Sequence, residues 1–279
     1  MKLHETDHRA TAPRANVHFR AEFVILSFLI LALCQPASAQ LPDTAPIADR
    51  APLTAEQVVD NLVRMNLHRG QALHAYQGTR TYRVEYRGFP GSRSAEMVVN
   101  VKYLSPGTKE FIVQSATGSK LIIDKVFKKL LEAEKEALGA EIQRRSALTG
   151  DNYRFTLVGY ESGFPGATYV FKVEPRTKDK FLYRGRIWVD AEEFAVVRLE
   201  AEPAKNPSFW TKKAEIVQVY RKVSEFWLPA YNHSVTAIRL GGRAELTIHY
   251  RDYEIMGASG IRSSMLRSTP HVETARAQD

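Results

Sequence analysis

Three carboxylates lie close together in the chain, where Asp190, Glu192 and Glu193 interrupt the segment Gly185–Pro203 (GRIWVDAEEFAVVRLEAEP). Such a cluster can supply a general acid and a general base when burial or a neighbouring charge moves the pKa values apart. The same residues could instead form the tip of a β-hairpin, because apolar residues alternate with polar ones on both sides. The two hypotheses differ in whether the carboxylates are buried or solvated.

The apolar residues around the carboxylates favour the hairpin. One register pairs Val189 with Phe194. The same register pairs Ile187 with Val196, so that one face of the two strands is wholly apolar. A slip of one residue would bring charge onto that face. We therefore predict a solvated loop over Asp190–Glu193 and no catalytic residue in it.

No other pattern in the sequence carries catalytic or metal chemistry. There is no GxSxG motif, no P-loop and no GxGxxG motif followed by a helix. The histidines beyond the N-terminal region lack the fixed spacing of metal ligands; they are His68, His74, His233, His249 and His271. We predict that the protein is not an enzyme and uses neither a metal nor a cofactor. The hypothesis of an enzyme acting on lipid or glycan depends on the three carboxylates alone.

The N-terminus has the features of a signal peptide. Phe23–Leu33 is an apolar run preceded by basic residues and followed by Ala37-Ser38-Ala39, a small-x-small cleavage pattern. A helix of that length rises about 16 Å, whereas a hydrocarbon core is about 30 Å thick. We predict a signal peptide over residues 1–39 with cleavage between Ala39 and Gln40. An uncleaved membrane anchor is the alternative.

Cleavage would remove Cys34, which is the only cysteine in the chain. It follows Leu33, where the lipidation box of bacterial lipoproteins has a small residue, so we assign it to the signal peptide. An exported protein without cysteine fits a bacterial periplasm. The net charge of +8 favours contact with anionic surfaces such as lipid headgroups. Export argues against nucleic acid as a partner.

The remaining chain begins with a Pro/Ala-rich linker over residues 40–53. Thr54-Ala55-Glu56-Gln57 is a capping box that opens an amphipathic helix ending near Gly70. A second amphipathic helix is predicted from Lys120 to about Arg145, with Gly139 as a weak point. The polar segment over residues 257–279 is predicted to be a disordered tail.

About ten strands with alternating polarity occupy the rest of residues 54–256, and most are joined by hairpin turns. Hairpins give an antiparallel sheet, and a strongly twisted sheet of that size curls. The predicted fold is mainly β (α+β): a curved antiparallel sheet that forms an incomplete β-barrel, capped by the two helices.

A curled sheet lined by apolar and aromatic side chains can hold an apolar ligand. The first strands and the tryptophans are the candidates, although a packed core explains most aromatic residues equally well. The candidate cavity lining is Tyr82, Val84, Tyr86, Met97, Val99, Val101, Phe111, Trp188 and Trp227.

Three segments in this order resemble the outer-membrane lipoprotein-sorting proteins with the LolA-like fold. They are YRGRIWVDAEEFAVVRLEAEP (Tyr183–Pro203), FWLPA (Phe226–Ala230) and AELTIHYRDYEI (Ala244–Ile255). The resemblance spans roughly Thr54–Ile255. It implies an incomplete antiparallel barrel in the periplasm with a hydrophobic cavity for acyl chains. No individual site residue follows from it.

The sequence thus leads to a non-catalytic periplasmic carrier for lipoproteins or other acylated or lipid cargo. The expected partners are acyl chains and, for handover, proteins of the inner and outer membranes. The alternative is a regulatory interaction module that uses the same fold to sense envelope stress.

Overall fold

The computed structural model describes residues 53–162, 166–206, 211–239 and 241–256. The predicted signal peptide with its cleavage site, linker residues 40–52 and the predicted tail from residue 257 lie outside this part of the chain. Within it, no helix is long and apolar enough to cross a membrane.

Ten strands form one antiparallel sheet in the order β3-β2-β1-β10-β9-β8-β7-β6-β5-β4. The strands are β1 (Ala75–Arg87), β2 (Arg93–Leu104), β3 (Thr108–Gly118), β4 (Tyr153–Glu161), β5 (Thr168–Pro175), β6 (Tyr183–Asp190), β7 (Val196–Pro203), β8 (Thr211–Val223), β9 (Phe226–Ile238) and β10 (Arg243–Met256).

The sheet is curved but not closed, because β3 and β4 are its two edges and do not pair with each other. These edge strands are consecutive in sequence, so the connection between them must pass from one edge of the sheet to the other. The predicted fold class, an incomplete antiparallel barrel with helices, is confirmed.

The first helix, α1 (Ala55–Ala72), begins as predicted. Gln57 N donates to Thr54 Oγ1 at 3.3 Å, and Thr54 N donates to Gln57 Oε1 at 2.9 Å, which completes the capping box. At the other end, Arg69 donates to the backbone oxygens of Glu193 and Phe194 at 2.8 and 2.9 Å. This contact ties the end of α1 to the loop between β6 and β7.

The connection from β3 to β4 carries the second helical region, which is divided where one helix was predicted. It comprises α2 (Lys120–Ile122), a π-helical turn (Ile123–Phe127), α3 (Lys128–Glu136) and α4 (Ala140–Ser146). The break falls at Gly139, which has an extended backbone and precedes α4. We call Lys120–Glu136, which runs without interruption, the helical cover.

The register predicted for the β6–β7 hairpin is wrong. Val189 pairs with Val196 rather than with Phe194, and Ile187 pairs with Leu199 rather than with Val196. A β-bulge between these pairs adds one residue to β7 and restores the apolar face beyond it.

The loop of this hairpin is longer than the predicted four residues. Asp190 N donates to Ala195 O at 2.8 Å, and Phe194 adopts a left-handed φ of 49° instead of joining the strand. The alternation rule assumes an unbroken ladder, so it could not anticipate a bulge and a left-handed residue. Ile187 and Val189 still lie on the buried face, as predicted.

Candidate ligand-binding face and its buried ion cluster

Two apolar clusters cover the same face of the sheet, which we call the inner face. The first cluster joins Leu62 of α1 to Phe171 and Ile216 of the sheet. The second joins Phe127 of the helical cover to Leu246 of β10. Both clusters lie on one face because cross-strand partners share a side of the sheet, and Ser234 pairs with both Ile216 and Leu246.

Most of the predicted cavity residues meet in the second cluster. Five are buried there against the cover residues Phe127 and Leu130, and Phe111 is partly buried at the margin. The five are Tyr82, Val84, Met97, Val99 and Val101. The structure therefore brings six of the nine predicted residues together beneath the cover, and their role as a cavity lining stays a prediction.

The other three predicted residues lie elsewhere. Tyr86 donates from its hydroxyl to Phe89 O at 2.7 Å, near the end of β1. Trp188 lies on the outer face because it alternates with Ile187, and it packs there in a small separate cluster. Trp227 borders that same cluster.

A cluster of three charged side chains is buried where the cover meets the sheet. Arg80 on β1 donates from Nη1 to Glu134 Oε2 of α3 at 2.7 Å. Lys109 on β3 donates from Nζ to Glu134 Oε1 at 2.6 Å. None of the three side chains is more than 3% exposed. We call Arg80, Lys109 and Glu134 the ion cluster.

Opposite charges in the ion cluster stabilise each other's ionised forms. Burial would raise the pKa of Glu134, but Arg80 and Lys109 outweigh it and lower that pKa to about 2. Burial would likewise lower the pKa of Arg80, whereas Glu134 raises it well above its ordinary value. Glu134 and Arg80 are therefore both ionised at neutral pH.

Aromatic side chains surround the two basic residues of the ion cluster. The guanidinium carbon of Arg80 lies 4.9 Å from the centre of the Tyr250 ring, and Nη1 donates to the Tyr82 hydroxyl at 3.2 Å. Lys109 Nζ lies 5.9 Å from the Tyr103 ring. The negative faces of these rings partly replace the water that burial removes.

Sequence reasoning missed the ion cluster, although its signal was present. Arg80 occupies the same alternating face of β1 as Tyr82, and Lys109 occupies that of Phe111 on β3. Glu134 follows Leu130 by one helical turn, on the buried face of α3. A charged residue at an apolar position of each of three elements is the pattern of a buried ion network.

Hydrogen bonds within the acidic loop and to its neighbours hold the carboxylates of Asp190 and Glu193 in place. Asp190 Oδ1 accepts hydrogen bonds from the backbone N–H groups of Glu192 and Glu193 at 3.0 and 2.7 Å, which shapes the turn. Glu193 also accepts from Lys222 Nζ, and from Trp227 Nε1 at 2.8 Å. Burial would raise the pKa of Glu193, but these hydrogen bonds lower it overall. An acid catalyst would need the opposite shift.

The outer face carries a pocket of about 440 Å³ beside Trp188. Trp188 Nε1 donates to Glu161 Oε2 at 2.9 Å, and Arg198 lies 5.6 Å from the indole ring. The pocket is open to solvent and lies on the opposite side of the sheet from the helical cover. Among the described residues, no group of three or more histidine, cysteine or carboxylate side chains could hold a metal ion.

No protein-family model matches the chain, and no curated protein matches its sequence. Several solved structures are similar to it. One is a domain assigned as an outer membrane lipoprotein-sorting protein from Vibrio parahaemolyticus, with 12% identity, a TM-score of 0.36, and coverage of 77% of this chain and 100% of that one.

A LolA superfamily protein from Nitrosomonas europaea is also similar, with 12% identity and a TM-score of 0.32 over 74% of this chain and 95% of that one. The MucA/MucB complex of Pseudomonas aeruginosa matches with 9% identity and a TM-score of 0.25 over 75% and 96%. These scores are low, so the fold described above rests on the strand order and pairing of this chain.

Proposed function

We propose that the protein is a non-catalytic periplasmic carrier that binds acyl chains of lipoproteins or lipids between the inner face of the sheet and the helical cover. The observation that carries this proposal is the contact between the two. An apolar sheet face is closed by a helical segment that is anchored near its C-terminal end by the ion cluster. The open edges β3 and β4 leave the barrel free to widen.

An ionic anchor makes the cover separable from the sheet. A buried ion pair is often no more stabilising than apolar residues of the same volume, because its charges lose their hydration. When the cover lifts, Arg80, Lys109 and Glu134 regain water, which offsets part of the lost attraction. An apolar contact in the same place would have no such compensation.

A carrier of acyl chains needs a cover that can separate from the sheet, because of the free energy with which acyl chains are buried. Burying a chain of sixteen carbons is worth on the order of 12 kcal/mol at about 0.8 kcal/mol per CH₂. Release of that chain into water would be very slow, so a carrier has to pass its cargo directly to a partner. A cover that opens on contact with a membrane protein would allow this transfer.

Mass spectrometry of the native protein recovered from the periplasm tests the proposal. We expect co-purifying acylated species, and binding of the fluorophore N-phenyl-1-naphthylamine that palmitate displaces. A protein that carries no lipid and binds no fluorophore contradicts the proposal.

A second candidate function, a protein-interaction module, is favoured by the edge strand β3. Its residues 112–118 are uncharged, and Ile112 and Val113 are 38% and 50% exposed. An uncharged edge with free backbone groups can pair with an extended segment of a partner. A pull-down that recovers a membrane-bound regulator but no lipoproteins would favour this function.

A further inference from the structure

A buried polar strip crosses the inner face between the two apolar clusters. It consists of Gln218 on β8 and Asn232, Ser234 and Thr236 on β9, none of which is more than 6% exposed. Asn232 pairs with Ile248 of the second cluster on one side, and Ser234 pairs with Ile216 of the first cluster on the other. Polar side chains thus occupy the middle of an otherwise apolar face.

Two atoms of the strip have no hydrogen-bond partner within the described part of the chain: Asn232 Oδ1 and Ser234 Oγ. Both side chains are 2% exposed. A buried polar atom without a partner costs free energy, so native proteins almost always pair such atoms with protein, water or ligand. Asn232 and Ser234 are two residues apart on the same face of β9, so one bound group can pair with both atoms.

The orientation of Asn232 is fixed by its neighbours. Gln218 Nε2 donates to the backbone oxygens of Val219 and Tyr231 at 3.2 and 3.0 Å, so Gln218 must present its oxygen to Asn232. Asn232 Nδ2 donates to that oxygen at 2.8 Å. A flipped Asn232 would place two oxygens face to face. The unpartnered atom is therefore an acceptor, and the hydroxyl of Ser234 beside it can donate.

We infer that the polar strip binds the secondary amide of an N-acylated ligand, with Asn232 Oδ1 accepting the amide N–H and Ser234 Oγ donating to the amide carbonyl. A secondary amide carries one donor and one acceptor, whereas the carboxylate of a free fatty acid at neutral pH offers only acceptors. An ester offers only acceptors, and a hydrocarbon offers neither. The apolar clusters on both sides of the strip would hold the attached chains. The inference rests on the proposed function, and it names the ligand group that the inner face selects.

Displacement of N-phenyl-1-naphthylamine by N-methylpalmitamide and by methyl palmitate tests the inference. The two competitors have the same chain and differ in the N–H. We expect the amide to compete about tenfold better than the ester, as one hydrogen bond to a buried acceptor allows. An N-palmitoylated dipeptide and a ceramide then show whether the amide is preferred on a peptide or on a lipid.

The variant Ser234→Ala removes the donor alone. We expect it to weaken the amide and the ester alike, about tenfold, and to leave the ratio between them unchanged, because both have a carbonyl. Its thermal midpoint should not fall, since no hydrogen bond of the ligand-free protein is lost. The control Thr247→Val, on the outer face of β10, should leave both affinities unchanged.

Equal competition by amide and ester, or full affinity in Ser234→Ala, overturns the inference. If the fluorophore still binds and palmitate still displaces it, the proposed carrier function survives that result. If the protein binds neither fluorophore nor acyl compound, the proposed function fails together with the inference.

Discussion

Glu134 links the helical cover to two strands of the sheet. It accepts hydrogen bonds from both Arg80 and Lys109 in a site that excludes water. The position of Glu134 could have been predicted from its helical phase. Its two partners lie on β1 and β3, which flank β2 in a meander of consecutive hairpins. The sequence did not show that α3 packs across these strands. Charged residues at apolar positions are individually ambiguous until their partners are known.

Replacement of Glu134 by glutamine should strongly destabilise the protein. The variant leaves Arg80 and Lys109 as buried cations without a counter-charge, which costs about 3–5 kcal/mol in other buried pairs. Urea unfolding measures the change in the free energy of unfolding. Glu136→Gln is the matched control on the same helix, because its ion pair with Lys180 is half-exposed and worth less than about 1 kcal/mol. Similar losses in both variants would contradict a special role of the ion cluster.

The same carboxylate predicts how stability depends on pH. The pKa of Glu134 is about 2 in the folded protein against an ordinary 4.5. The stabilisation, roughly 3 kcal/mol, is therefore fully present above pH 4.5 and is lost as the pH falls towards 2.

Urea unfolding of the wild type and of Glu134→Gln across this range measures the effect. The difference between the two free energies of unfolding should shrink as the pH falls, because a protonated Glu134 resembles glutamine. A difference that stays constant from pH 7 to pH 2 would show that Glu134 is not ionised in the folded protein.

At the scale of elements, the sequence predicted which segments form strands and helices better than how they pair. Alternation located the β6 and β7 strands and the buried face of Ile187 and Val189. It failed at the loop, because Arg69 and Asp190 hold the backbone there by hydrogen bonds that apolar patterning does not encode. The capping box of α1 was predicted correctly because it depends only on residues within one turn.

Gly185 on β6 shows how closely these strands are packed. Its φ is +156°, and a Cβ atom added there would lie 2.1 Å from Glu200 O and 2.6 Å from Ala201 Cα on β7. Gly185→Ala should therefore destabilise the protein by about 2–4 kcal/mol, through a clash with backbone and an unfavourable φ.

Thermal or urea unfolding measures the stability of Gly185→Ala, with Gly159→Ala on the edge strand β4 as the control. A Cβ atom at Gly159 would meet nothing within 4 Å, so that variant should stay within about 0.5 kcal/mol of the wild type. Equal stability of the two variants would mean that β7 can move away from β6 at little cost.

At the scale of the whole molecule, the inner face of the open sheet is packed as two separate apolar clusters, one against α1 and one against the helical cover. The hairpin pattern was sufficient to predict ten strands in a curved sheet. It was not sufficient to predict that β1 pairs with β10, which places the cover over the first strands and α1 over the later ones. Pairing between strands that are distant in sequence depends on the arrangement of the whole sheet, and local periodicity does not predict it.

This arrangement predicts that α1 and the helical cover contribute differently to ligand binding. If cargo enters beneath the helical cover, the apparent affinity for N-phenyl-1-naphthylamine includes the free energy of lifting that cover. Glu134→Gln lowers this cost and should tighten fluorophore binding under conditions in which the variant is folded. Gly185→Ala is destabilised beneath α1 instead, so it should bind with the affinity of the wild type. Fluorescence titration at 10 °C, with folding checked by circular dichroism, separates the two outcomes.

The comparison is informative because both variants lose stability and only one loosens the cover. Tighter binding in both would mean that general loosening, rather than the ion cluster, admits the ligand. Unchanged binding in Glu134→Gln would mean that cargo reaches the inner face without lifting the helical cover. The entry route would then have to lie at the open edges, between β3 and β4, where the sheet itself provides the gap.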